Sequence, residues 1–158
     1  AVAATIFLTG NELTFAHVGD CSIYVSGETT RQLNVVHRVD NQNERARILA
    51  AGGHILEPYF VHHGKGLMTT RAFGDRPMRD AGLKAVPDIG TYRMRINDKF
   101  VLLATDGIGD MIEPETLDQI LHENHLTVGD APARLVHTAL SRGGSDNMTA
   151  VLTAVKKM

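Results

Sequence analysis

Tryptophan is absent from this 158-residue chain, cysteine occurs once, and aromatic residues make up only 5%. The lone Cys21 excludes an internal disulfide and a cysteine-rich zinc site. An intracellular, reducing compartment fits that scarcity. A dominant charge is lacking too. With 16 basic and 18 acidic residues and a formal net charge of −2, the chain offers no electrostatic attraction for nucleic acid or an anionic membrane. No apolar run approaches the length of a bilayer span. The opening "AVAATIFLTG" has neither the basic region nor the cleavage pattern of a signal peptide. No methionine opens the chain, which begins directly in strand-like sequence, so an earlier portion is expected before Ala1. What remains is the composition of a soluble globular domain, 43% hydrophobic and 22% charged, long enough for one real core.

Period-two runs dominate the first third. Residues 5–9 and 13–18 read as a hairpin about "GNE", and residues 23–25 and 32–36 continue the meander. The period then changes. "NQNERARILAAGG" predicts a helix with Ala46, Leu49 and Ala50 on one face, stopped by Gly52-Gly53. Residues 54–56 and 59–62 can pair around Pro58, and residues 67–73 lead into the break "GDRP". Residues 89–96 alternate loosely and turn at Asn97-Asp98 into Phe100–Ala104, a short run that reads as a strand buried on both faces. Amphipathic helices are predicted over 116–122 and 131–141, the second started by Asp130 with Pro132 in its first turn. A final strand covers 148–155. Hairpins first, helices together near the end and a closing strand predict an α+β fold with antiparallel sheet.

Four segments share one design, an apolar strand that ends at an aspartate flanked by small residues. They are "FAHVGDCSIYV" with Asp20, "LLATDGIGD" with Asp106 and Asp110, "RGGSDNMTAVL" with Asp146, and "TRAFGD" with Asp75. Carboxylates gathered at one sheet edge repel unless a cation joins them. An oxygen donor set without thiolates favours Mg²⁺ or Mn²⁺ over Zn²⁺. Two such ions side by side can hold a phosphate and acidify a bridging water.

The ordered set "VGDCSIY", "ERARILAAGG", "LMTTRAFGD", "FVLLATDGIGD" and "GSDNMTAVL" resembles the metal-dependent Ser/Thr protein phosphatases of type 2C, the PPM family, over nearly all the chain. The resemblance implies two packed antiparallel β-sheets flanked by helices, with metals at one end. It implies hydrolysis of phosphoserine and phosphothreonine in phosphoprotein substrates by a metal-bridging hydroxide, with no phosphoenzyme. By resemblance Asp106 and Asp146 are ligands of a catalytic metal pair, Asp20 shares a weaker third metal with Asp106, and Asp110 lies close to that third site. Their carboxyl oxygens are expected around a common point. Asn147 orients the last loop, and Arg71, Gly74 and Asp75 match a structural R-x-x-G-D block.

The resemblance is also incomplete. The family's early Asp-Gly-His-Gly-Gly type segment does not occur among these residues, so the chain reads as a partial type 2C catalytic domain over 1–158 with N-terminal strands missing. The general acid and phosphate-binding residues belong to that segment by resemblance, and the chain alone is expected to be inactive. An exposed sheet edge near Val2, Ile6, Phe7, Leu13 and Phe15 is expected, covered by the missing segment or by other subunits. Gly109 stands where Trp is common, Val36 where Asp precedes His37, and Cys21 where Ser is usual. The alternative function is a pseudophosphatase serving as a binding or scaffold subunit.

Plainer readings exist for each residue. Asp106 and Asp146 can cap turns through backbone amides, but the ordered motifs favour metal ligation. Asp20 stays balanced between ligand and turn residue, and Asp110 between ligand and a charge at a helix start. Arg71 and Asp75 read as an internal ion pair or turn support. Zinc is disfavoured because adjacent His62 and His63 on a strand point apart, His122 and His125 suit a helix end, and no H-E-x-x-H occurs. Cys21 reads as a small buried hydrophobe.

Overall fold

The computed structural model describes residues 1–123 and 127–155. His125 therefore lies outside the described residues. In chain order the elements are β1 (Ala3–Thr9), β2 (Glu12–Val18), β3 (Ser22–Ser26), β4 (Thr30–Gln32), α1 (Gln42–Ala50), β5 (His54–Leu56), β6 (Tyr59–His62) and β7 (Lys65–Leu67). After a 3₁₀ helix (Arg76–Ala81) come β8 (Asp88–Arg93), β9 (Phe100–Ala104), α2 (Asp106–Gly109), α3 (Pro114–His122), α4 (Asp130–Ser141) and β10 (Ala150–Ala154).

Two antiparallel sheets form the frame, ordered β1-β2-β8 and β10-β9-β3-β4. Side-chain alternation along β9 decides the layering. Val101 and Leu103 face the first sheet, meeting Leu13 and Phe15 of β2 and Ile23 and Val25 of β3. Leu102 and Ala104 point the other way, onto Ile108, Leu117, Ile120 and Leu135 of the helices. Phe100–Ala104 is thus covered on both faces, and each large aliphatic side chain sealed here contributes about 1.5–3 kcal/mol. Gly90 of β8 lies opposite Phe15. A Cβ there would meet Phe15 Cζ at 2.3 Å, so the missing side chain is what seats the ring.

A third sheet, β5-β6-β7, is an addition to the two expected. It packs with α1 and the 3₁₀ helix around Phe60, Ile48 and Met78. The buried face of α1 differs from the apolar one expected. Glu44 and Ile48 are buried while Leu49 is 51% exposed, because Glu44 is drawn inward by ion pairs described below. β4 ends earlier than predicted. Leu33 N still donates to Ile23 O, but the Asn34 side chain then takes over, accepting from Ile23 N and donating to Cys21 O. Of the residues expected at an exposed edge, Leu13 and Phe15 are buried, Val2 and Ile6 are half-buried, and Phe7 is 71% exposed. Among the described residues no helix is long and apolar enough to cross a membrane.

Candidate functional site

Strand register gathers the aspartates. Ser22 of β3 and Ala150 of β10 both pair with Ala104, on opposite sides of β9. Residues just before Ser22 and just before Ala150 are therefore carried beside those just after Ala104. Asp20 arrives from one side, Asp146 from the other, and Asp106 stands between them. Asp106, Asp110 and Asp146 line one cleft of about 150 Å³ with Gly107, Met111 and residues 143–145.

The end of β9 is laced to the Asp146 loop. Thr105 N donates to Thr149 O at 3.0 Å, Thr149 N donates to Thr105 Oγ1 at 2.9 Å, and Thr105 Oγ1 donates to Asn147 O at 3.2 Å. Asn147 thus acts through its backbone carbonyl. Gly107 is what permits the approach, since a Cβ there would lie 2.4 Å from Asn147 O. Asp106 opens α2 and accepts from Gly107 N at 2.9 Å, the backbone contact that the plainer reading expected. Asp146 likewise accepts from Asn147 N at 2.6 Å.

A basic residue that sequence reasoning passed over sits among these acids. Arg38 Nε donates to Asp20 Oδ2 at 3.2 Å, Nη1 to Asp110 Oδ1 at 2.8 Å, and Nη2 to Asp110 Oδ2 at 2.9 Å and Asp106 Oδ2 at 3.3 Å. One guanidinium thus serves Asp20, Asp106 and Asp110. Asp20 is 6% exposed, and its ion-pair partner among the described residues is Arg38. Burial, with Asp20 and Asp146 nearby, pushes the Asp106 carboxyl above the usual range, against the pull of Gly107 N–H and Arg38. Cys21, beside this cluster, is pushed up to about 11 by burial, Asp20 and Asp106, so its thiol stays protonated at neutral pH.

A second ionisable group was also missed. The rings of His17 and His37 stack with centroids 4.3 Å apart, and His37 Nε2 lies 3.1 Å from Asp88 Oδ2. The ligating atoms of His17, His37 and Asp88 lie within 4.8 Å of one another, close enough for a shared cation. Hydrogen bonding argues otherwise. His37 Nδ1 accepts from Gly19 N at 3.0 Å, which leaves the proton on Nε2 facing Asp88 and no lone pair there for a metal. Arg71 already neutralises Asp88 at 2.6 Å. The same Arg71 pairs with Glu44 at 2.6 Å. Of the two readings for Arg71 and Asp75, ion pair or turn support, the ion pair is replaced by these contacts, and Asp75 is exposed at a φ of 44° in the turn before the 3₁₀ helix. His62 and His63 also depart from expectation. His63 adopts a φ of 47° in the β6–β7 turn, so their rings come within 4.0 Å.

For Arg38 the sequence offered only charge balance, since aspartates at a sheet edge demand a cation and several arginines flank the motifs; for His17 it offered no signal.

Comparison with known proteins settles the family. The sequence model of Protein phosphatase 2C matches residues 1–148. The chain belongs to the protein phosphatase 2C family. Probable protein phosphatase 2C 69 of Arabidopsis thaliana is 32% identical over 153 residues, covering 96% of this chain and 43% of that protein. Probable protein phosphatase 2C 54 of Oryza sativa subsp. japonica is 30% identical over 165 residues, covering 96% and 45%. The chain thus spans less than half the length of these curated relatives. Among solved structures, a C. elegans sex determining protein superposes with a TM-score of 0.79 at 29% identity, over 97% of this chain and 39% of that one. Serine-threonine phosphatase 2C from Toxoplasma gondii gives 0.81 at 24% identity, over 98% and 58%, a likeness of fold. The α+β fold with antiparallel sheets and flanking helices is that of protein phosphatase 2C structures.

Proposed function

We propose that this protein phosphatase 2C chain contributes the late metal-binding carboxylates of a Ser/Thr protein phosphatase acting on phosphoproteins. The observation that carries the reading is the convergence of Asp20, Asp106 and Asp110 on one guanidinium, with Asp146 lining the same cleft as Asp106 and Asp110. Four carboxylates against one Arg38 leave negative charge uncompensated, and burial together with Asp20 and Asp146 raises the proton affinity of Asp106. An all-oxygen donor set of that charge fits Mg²⁺ or Mn²⁺. Asp106 and Asp146 would hold the principal ions, with Asp20 and Asp110 toward a further, weaker one. Divalent ions bound there supply charge neutralisation for a phosphate and acidify water at neutral pH. The chain's own part is positional. The Thr105–Asn147–Thr149 hydrogen bonds hold Asp106 and Asp146 in fixed relation, which is the precondition for shared ligation.

No Asp-Gly-His-Gly-Gly occurs among the 158 residues. We therefore assign turnover to a protein of the relatives' full length and weak turnover or none to this chain alone. Calorimetric titration with MnCl₂ tests the carboxylates. Asp106→Asn and Asp146→Asn are each expected to weaken binding at least tenfold, and unchanged isotherms for both would overturn the reading. Hydrolysis of a phosphothreonine peptide by the full-length protein in Mn²⁺, abolished by Asp106→Asn, supports the enzyme. Metal binding without hydrolysis would favour the scaffold alternative instead.

A further inference from the structure

Arg38 is delivered to the carboxylates by a rigid stretch of backbone between β4 and α1. His37 N donates to Gly19 O at 3.1 Å, and His37 O accepts from Thr70 N at 2.7 Å and Thr69 Oγ1 at 3.2 Å. A bridge between Arg38 and Thr69 follows. With its origin pinned, the side chain is 16% exposed, and Nε, Nη1 and Nη2 all donate to aspartates. The acceptors are Asp20 Oδ2, Asp106 Oδ2 and both oxygens of Asp110. Among the described residues it makes no ion pair with Asp146.

A cation on the Asp20–Asp106–Asp110 side of the cluster would draw on these same carboxylates, of which Arg38 holds one oxygen each of Asp20 and Asp106 and both of Asp110. Each carboxylate oxygen has a further lone pair, so geometry alone allows the guanidinium and an ion together. Charge opposes it, because two cations would then share Asp106 Oδ2 in a part-buried place where screening is weaker than in open solvent. An arginine is always protonated and has only donors, so it has no neutral or ligating form to adopt when a metal arrives. We propose that Arg38 is an internal cation competing with a divalent ion for the Asp20–Asp106–Asp110 face. Arg38 then has to leave that face for an ion to enter, which is this chain's own contribution to the weakness already proposed for that site. This role rests on the reading of the cluster as a metal site. It also gives the buried Asp20 a compensating positive charge at 3.2 Å, since a buried lone carboxylate is costly.

Two measurements test it on the protein as it stands. In MnCl₂ calorimetry, Arg38→Gln is expected to tighten the weaker class of sites tenfold or more, and Arg38→Lys, which keeps the charge but loses the fork, by less. An Arg38→Gln isotherm within twofold of wild type would overturn the proposal. The second readout uses wild-type protein and so is immune to a folding defect in the variants. The Arg38 Nε–H resonance, assigned in ¹⁵N-labelled protein, is expected to be protected from solvent exchange without metal and to lose that protection as Mg²⁺ saturates. Persistent protection at saturation would refute displacement. If Asp106→Asn and Asp146→Asn weaken Mn²⁺ binding while both Arg38 readouts stay flat, the competitor role falls and the metal site stands. If neither aspartate variant alters the isotherm, the metal reading itself has failed.

Discussion

Exchanging Glu44 for glutamine removes the charge on which four hydrogen bonds converge, from Thr70 Oγ1, from Arg47, and from Nε and Nη2 of Arg71. Burial alone would push this carboxyl up, but Arg71, Thr70 and Arg47 together hold it at about 2 against an ordinary 4.5. At roughly 1.4 kcal/mol per pH unit, the charged form is favoured on folding by about 3 kcal/mol at neutral pH. Glu44 is 3% exposed, so solvent screening takes little away. Breaking one side of a buried pair costs about 3–5 kcal/mol by an independent route. The two figures agree. Because the folded-state value is depressed, the contribution is complete above the unfolded carboxylate range and disappears as pH falls from about 4.5 toward about 2. Urea unfolding from pH 7 to pH 3 is the measurement. Glu44→Gln is expected to be about 3 kcal/mol less stable at pH 7, a fall in Tm of about 6–12 °C for a chain of this size. The gap should narrow steadily below pH 4.5. A variant within about 0.5 kcal/mol of wild type at pH 7, or a gap indifferent to pH, would refute the reasoning. The site is involved too, since Thr70 also fixes the His37 carbonyl next to Arg38.

Two further outcomes are expected. Burial and the neighbouring His37 lower the pKa of His17, and burial, with Arg71 close by, lowers that of His37 despite the opposing pull of Asp88. The unfolded chain therefore binds more protons just below pH 6.5, and stability declines as pH falls through that value. His17→Phe, which keeps a flat ring on His37, is expected to shallow the decline in thermal unfolding between pH 7 and pH 5, and an identical slope would count against the stacked pair. Gly107→Ala forces a Cβ to within 2.4 Å of Asn147 O, with an expected loss of about 1–3 kcal/mol and weaker Mn²⁺ binding by calorimetry. Wild-type stability and affinity in that variant would show that the loop yields freely.

Local sequence was enough for most of the strands, the late helices and the family, though not for β4 and β7. A run such as Phe100–Ala104 has no periodic polar face, so it could only be a strand covered on both sides, and Val101 and Leu102 do face different layers. Asp20, Asp106, Asp110 and Asp146 were legible as candidates because each ends or follows an apolar run at a small-residue turn. Their gathering was expected only through the family resemblance, since physically it depends on Ser22 and Ala150 both pairing with Ala104, a register set by long-range packing. The wrong face assigned to α1 has the same origin. Hydrophobic periodicity selects Ala46, Leu49 and Ala50, whereas the fold turns Glu44 inward because Arg71 waits there, 27 residues away in sequence. Arg38 was invisible for a related reason. A single basic residue between elements carries no periodic or motif signal, and only tertiary structure decides that its guanidinium meets Asp20, Asp106 and Asp110 together. Sequence chose the chemical groups, because strand and turn propensities act over a few residues. Which charges face one another was decided by sheet register and burial, which act across the whole chain.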